Sequence, residues 1–137
     1  MYVEWRWEWS FEILPQMLWA TLNTFLAAGV GYAIAAIVGI LFMLGQRTSY
    51  KIINIPTREI VEFIRSTPLL VQLFFVYFVA PQFGLTLSAW VCAMITIGLH
   101  YGTYLSEVYR GALEGVPKTQ WEACRAVNFQ LAITIAK

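Results

Sequence analysis

STPLLVQLFFVYFVAPQFGLTLSAWVCAMITIGLHYGTYLS, residues 66–106, holds no Lys, Arg, Asp or Glu, and that absence decides the fold class. A helix needs about 20 apolar residues to cross a hydrocarbon core near 30 Å thick. The run therefore has room for two crossings, with the uncharged Pro81-Gln82-Phe83-Gly84-Leu85-Thr86 as the short turn between them. Toward the N-terminus, the interval between Glu12 and Arg47 is free of the same four residue types and holds one more span. The whole chain is 59% hydrophobic and 12% charged, with a mean hydropathy of +0.63. Soluble domains carry about 25% charged residues. An all-α integral membrane protein with about three transmembrane helices is the class that fits.

Charge distribution gives the order and direction of the elements. Residues 2–12 combine Trp5, Trp7 and Trp9 with Glu4, Glu8 and Glu12, a composition suited to the membrane–water interface and opposite to the basic start of a signal peptide. Pro15 marks a break or a first helical turn, and the first span is placed at about 17–44. Its Gly29, Gly31, Gly39 and surrounding alanines let a neighbouring helix approach closely. Arg47, Lys51, Arg58 and Arg65 then outnumber Glu59 and Glu62. By the positive-inside rule this segment is cytoplasmic and the N-terminus lies outside. Residues 55–64 alternate charged and apolar positions at helical spacing, as expected of a helix lying along the inner surface. A bend is expected at Ser66-Thr67-Pro68, because the residue before proline avoids the helical region. Spans follow at about 66–80 and 88–106, and a charged loop at 111–129. The residues after Phe129 are too few for a fourth crossing.

Several functions are disfavoured on composition. A net charge of +1 argues against a nucleic-acid partner. Cys92 and Cys124 have no CxxC neighbour, which disfavours a disulfide or a metal site. No GxxxxGK[ST] loop is present, so no nucleotide is expected on this chain. An intramembrane enzyme built on His100 and Glu107 is weakly supported, because no second carboxylate lies in the spans and the chain contains no Asp.

Two polar residues in the spans, Gln72 and His100, are candidates for the substrate pathway. Polar groups there usually face the bundle interior; a hydrogen bond to a neighbouring helix is the plainer reading of His100, while Gln72 faces either another helix or the pathway. Arg65, beside the bend, suits a snorkelling anchor to lipid phosphates. Glu107 pairs with Arg110 at helical spacing in the simplest reading. The aromatics Phe74, Phe75, Tyr77 and Phe78 suit packing and lipid contact.

The loop after the third span has its own organisation. Gly115 and Pro117 punctuate a turn, Pro117 being suited to the first position of a helix, and helix formers follow to about Phe129. Glu122 is spaced to pair with Lys118 and Arg125. Ala123, Ala126 and Val127 give a small apolar face that can lie in a groove on another protein, or simply form a juxtamembrane amphipathic helix.

Val116-Pro117-Lys118-Thr119-Gln120-Trp121-Glu122-Ala123-Cys124-Arg125-Ala126 resembles the Glu-Ala-Ala loop of bacterial ABC importer permeases, in the branch serving polar amino acids and compatible solutes. Phe63-Ile64-Arg65-Ser66-Thr67-Pro68-Leu69-Leu70-Val71-Gln72 is similar to that branch's Arg-Gly-Thr-Pro-Leu-Leu-Val-Gln signature. Tyr104-Leu105-Ser106-Glu107-Val108-Tyr109-Arg110-Gly111 looks like the segment ending its next span. Within the branch, Gly98-Leu99-His100-Tyr101-Gly102-Thr103-Tyr104 and Tyr109 to Pro117 resemble ectoine and hydroxyectoine permeases.

The resemblance implies a MetI-like ABC permease transmembrane fold, N-terminal portion, with a cytoplasmic coupling helix. It implies that Gly115, Pro117, Trp121, Glu122, Ala123, Cys124 and Asn128 couple the chain to an ATPase, with Cys124 in place of the second Ala and Asn128 in place of Gly. The implied partners are ABC ATP-binding subunits that carry ATP and Mg, a second permease chain (identical or different), an extracytoplasmic solute-binding protein and the bilayer of a bacterial inner membrane. This chain would itself carry no cofactor and no enzyme activity. The Ile-x-Leu-Pro element and later spans of the family are absent before Lys137, as in a C-terminally truncated permease. A small membrane anchor that recruits a soluble partner without transport is the alternative.

Overall fold

The computed structural model describes residues 7–129, which form five α-helices and one short 3-10 turn. The first helix, α1 (Trp7–Arg47), runs 41 residues, about 60 Å at 1.5 Å per residue. It is already helical two turns before Pro15, so the break expected there does not occur. Proline inside a helix removes one backbone hydrogen bond and crowds one carbonyl. Good helix formers flank it, Glu12 and Leu14 before and Gln16, Met17, Leu18 and Ala20 after, and the helix continues through it.

A short connection leads to α2 (Lys51–Ser66). Asn54 on α2 donates through its side chain to the carbonyls of Gln46 and, at 3.4 Å, of Thr48. The Gln46 carbonyl is among the last of α1, which have no partner inside their own helix, and Thr48 directly follows that helix. The α2 helix and α3 (Leu69–Val79) meet at 102° across Thr67-Pro68. That is the bend expected from the proline. A 3-10 turn (Ala80–Phe83) and Gly84 at φ 82° reverse the chain; a side chain at that φ is strained, and glycine is not. Ser88 caps α4 (Ala89–Glu114), its hydroxyl accepting from the Val91 amide at 3.4 Å. Then comes α5 (Lys118–Ala126).

The packing centre is the α1–α4 interface. Gly31, Ala35, Gly39 and Met43 recur every fourth residue and are all buried, which places them on one face of α1. Gly98 and Gly102 on α4 meet them. A Cβ on Gly102 would lie 2.8 Å from Val38 Cγ1 and 3.3 Å from the Ala35 carbonyl. A Cβ on Gly39 would lie 2.9 Å from Leu105 Cβ. The two backbones therefore touch, as membrane helices do where small residues face each other. The neighbour that the glycines and alanines of α1 require is α4.

The buried hydroxyls of α4 are satisfied locally. The hydroxyls of Thr96, Thr103 and Ser106 donate to the carbonyls of Cys92, His100 and Thr103 at 2.7, 2.6 and 2.6 Å. Large apolar side chains, by contrast, point outward along α1 and α3; Trp19, Phe25, Leu41, Phe75 and Phe78 are all at least 60% exposed. Among the described residues α1 is by itself long and apolar enough to cross a membrane, and α2 with α3 qualifies only as a bent pair. The 26 residues of α4 have the length, but Thr96, His100, Thr103 and Ser106 dilute its apolar character.

Candidate functional site

The 111–129 segment leaves the bundle. After Glu114 the chain turns through Gly115 and Val116. Pro117, at φ −56° and ψ 141°, sits one residue ahead of the first helical residue of α5 instead of at that residue, and its carbonyl accepts from the Gln120 amide at 3.0 Å. At the other end, Phe129 N–H donates to the Cys124 carbonyl at 2.9 Å and Asn128 N–H to the Arg125 carbonyl at 3.0 Å. This pair of bonds is a Schellman motif, with Asn128 in its left-handed position. Asn128 has φ 55°, the one positive value among the described non-glycine residues. Asparagine tolerates this region better than other residues with a side chain, so the substitution for glycine keeps the turn.

The nine residues of α5 include none that is buried, and α5 packs against no other described helix. Trp121 and Cys124 are half-buried, while Glu122, Ala123, Ala126 and Val127 are exposed. Glu122 forms no ion pair with Lys118 or Arg125; their solvated side chains gain little from holding one geometry. The expected coupling residues thus lie together on one projecting element.

A second feature lies where α1, α2 and α4 converge. There a cleft of about 610 Å³ is walled by Arg58, Glu62 and Arg65 of α2, Gln46 of α1, and Tyr104 and Glu107 of α4. Glu107 accepts from Arg110 at 2.7 Å and from Gln46 Nε2 at 3.1 Å. Arg110 reaches on to Glu114 at 2.8 Å, so the expected Glu107–Arg110 pair is part of a longer chain. The hydrogen bond from Arg110 holds the Glu107 carboxyl below the usual carboxylate range; partial burial opposes it, and Gln46 adds a smaller push downward. The guanidinium of Arg65 lies 5.1 Å from the centre of the Tyr104 ring, a cation–π distance.

The two pathway candidates have different surroundings. Gln72 Nε2 donates to the carbonyls of Ile64 and Thr67 at 2.7 and 2.9 Å. Its amide thus closes the end of α2 across the Pro68 bend, where proline has no N–H to offer. Sequence reading missed this task, although Gln72 stands four residues beyond the proline, one helical turn into α3. His100 is 8% exposed, and its ring lies 5.4 and 5.2 Å from those of Tyr101 and Tyr104. Its Nδ1 is buried without a hydrogen-bond partner. Gln46, which sequence reading passed over, is buried and supports Glu107; its place on the small-residue face, three after Met43, was the available signal.

Residues 37–131 match the model of the binding-protein-dependent transport system inner membrane component family. The chain belongs to this family. A probable amino-acid ABC transporter permease of Sinorhizobium fredii is 36% identical over 91% of this chain and 54% of its own length. The L-cystine transport system permease of Bacillus subtilis is 31% identical over 82% of this chain and 50% of its own. Among solved structures, the crystal structure of an amino acid ABC transporter with histidines matches with a TM-score of 0.83 and 26% identity, over 93% of this chain and 58% of that one. The chain therefore spans about half the length of the relatives it matches, and the two curated ones are permease proteins. Its α1–α4 core and bent α2–α3 pair are thus the fold of an ABC permease membrane component.

Proposed function

We propose that this chain belongs to the membrane pathway of an ATP-driven importer of amino acids, with α5 as the helix that seats in its ATPase. The observation carrying this reading is α5 itself. Isolated helices shorter than about 12–15 residues are marginal in water, yet this nine-residue helix is capped at its C-terminal end and held clear of the bundle. An exposed helix with a small apolar face is suited to a groove on a partner. The partner subunits would be two ATPases carrying ATP and Mg, a second permease chain and an extracytoplasmic solute-binding protein. The membrane would be a bacterial inner membrane, crossed by α1 and α4 and entered by the shorter α3, with the N-terminus outside. ATP-driven closure of the ATPases would pull on α5, and through the continuous α4 tilt the α1–α4 core between outward and inward openings.

The substrate class rests on the amino-acid permeases among the relatives. The Gly98 to Tyr104 pattern narrows it to a compact zwitterion of the ectoine type. His100, with Nδ1 free in the wall of α4, is the candidate polar contact along the pathway. A membrane anchor without transport is the lesser reading, since the relatives carry the names of transport permeases.

The test is uptake into proteoliposomes containing the intact gene product, its ATPase and its binding protein. ATP-dependent accumulation of a labelled amino acid, competed by ectoine, is expected. Glu122→Lys should abolish uptake and co-purification of the ATPase while leaving membrane insertion intact. Unchanged co-purification would remove α5 from the coupling role, and ATPase binding without uptake of any amino acid or ectoine would support the anchor.

A further inference from the structure

Four side chains form one continuous row of contacts from the end of α1 to the end of α4. Gln46, buried at the end of α1, donates through Nε2 to Glu107 Oε1 at 3.1 Å. The other carboxylate oxygen of Glu107 accepts twice from Arg110, at 2.7 Å from Nη2 and 3.3 Å from Nε. Arg110 then reaches forward with Nη1 to both oxygens of Glu114, at 2.8 and 3.0 Å, and Glu114 is the last residue of α4. Single ion pairs on a surface contribute little, but several carboxylate contacts sharing one guanidinium fork are the exception. Gln46 also ties in α2, because its carbonyl accepts from the Asn54 side chain.

The row spans a weak place in α4. As far as Tyr109 the helix is packed on α1, since a Cβ on Gly39 would lie 3.1 Å from Tyr109 Cε2. Two residues later it is open. Gly111 and Ala112 are exposed, and a Cβ built on Gly111 meets nothing within 4 Å. Glycine is the poorest helix former after proline, so α4 passes through an unsupported turn before it reaches α5. The Arg110–Glu114 contact bridges that turn at i, i+4 spacing, and the Glu107–Gln46 bond roots the bridge in α1.

We infer that Gln46, Glu107, Arg110 and Glu114 act as a strut between α1 and the turn that carries α5, and that Arg110 is a positioning residue for energy coupling. The inference rests on the reading of α5 as the helix seated in the ATPase. A displacement of α5 enters α4 at Glu114 and Gly115, beyond the weak turn. With the strut closed, that turn does not bend separately, and the displacement reaches α1 through Glu107 and Gln46 as well as through the glycine contacts of the core. With the strut open, the turn over Gly111 flexes and absorbs it. Arg110 is then needed for the motion to reach the membrane core and not for the ATPase to bind.

The test is pulsed maleimide labelling of α1 in membranes that hold the full chain with its partner subunits, with and without ATP trapped by vanadate. Thr21→Cys, Leu22→Cys, Asn23→Cys, Thr24→Cys and Phe25→Cys are made singly, which covers more than one turn in the N-terminal half of α1, and the label is read at the introduced site by peptide mass spectrometry. In the otherwise native chain, trapping should change the labelling rate of at least one position about fivefold. Arg110→Gln and Gln46→Leu should each reduce that change to less than about twofold, with the ATPase still co-purifying. Gly111→Ala, for which there is space, should restore most of it in the Arg110→Gln chain by strengthening the same turn; a residue needed only for folding is not rescued in this way. Glu59→Gln, which removes an exposed carboxylate of α2 outside the strut, should leave the change intact. Where Arg110→Gln does not assemble, Glu114→Gln opens the same bridge from its exposed end and should give the same loss. A full response to ATP in Arg110→Gln, Glu114→Gln or Gln46→Leu would overturn the strut, and so would failure of Gly111→Ala to rescue Arg110→Gln. No response at any position in the native chain would instead remove the coupling reading of α5, and the strut with it.

Discussion

Gly102 shows how much one missing methyl group does in this molecule. Its Cβ would fall 2.8 Å from Val38 Cγ1 and 3.0 Å from Val38 Cβ, atoms close to the backbone that cannot swing away. Gly102→Ala should therefore separate α1 from α4 and destabilise the chain by about 1–3 kcal/mol, the usual range for overpacking. A thermal-aggregation assay in detergent reads this directly. Gly29→Ala is the matched control, since nothing lies within 4 Å of the added Cβ, and it should leave the midpoint unchanged or slightly raised. Glu107 gives a pH-dependent effect. Its carboxyl is held below the usual value of 4.5, first by the Arg110 hydrogen bond. Its stabilisation is therefore complete above pH 4.5 and is lost as pH falls through the lower folded-state value. The apparent midpoint should drop over that acidic window in the native chain and show a shallower slope in Glu107→Gln. Equal slopes would mean that the Glu107–Arg110 bond contributes nothing to the folded state. At this scale the sequence announced the Glu107–Arg110 pair through its spacing, and Asn128 through its place after a helix. It could not announce Gln72 or Gln46, because each acts on atoms five or more residues away.

The elements were legible in proportion to how local their causes are. The proline bend after α2, the uncharged hairpin at Gly84 and the helix after Pro117 all follow from residues within one turn. The unbroken course of α1 through Pro15 did not, because the helix on either side carries through the one backbone bond that proline removes. The pairing of α1 with α4 was half legible: the small residues of α1 asked for a partner, but only the packing of Gly98 and Gly102 names it. The C-terminal turn of α5 carries its own prediction. Asn128→Gly should preserve the turn at φ 55°, whereas Asn128→Val, β-branched in the left-handed region, should unwind the end of α5. Circular dichroism of the purified chain is too coarse for nine residues. Amide hydrogen exchange at Val127, Asn128 and Phe129 resolves it, with faster exchange expected in Asn128→Val and native protection in Asn128→Gly. Native protection in Asn128→Val would show that the turn does not depend on the asparagine.

Across the whole molecule, the described helices expose more large apolar surface than they bury. Soluble monomers rarely expose such patches, and membership of an inner-membrane permease family supplies the solvent that covers them. The architecture then divides its work. The glycine-lined α1–α4 contact forms the packing centre, the α2–α3 pair bends across Thr67-Pro68, and α4 extends without a break into the turn that presents α5. The account turns on that last connection, and site-specific crosslinking tests it most directly. A photoreactive residue placed at Ala123, exposed on α5, should crosslink to the ATPase subunit in intact membranes, and the yield should change when ATP is trapped. The same probe at Ala27 on α1 should give no ATPase adduct. Absence of any ATPase crosslink from Ala123, in membranes where the subunits co-purify, would contradict the coupling role of α5.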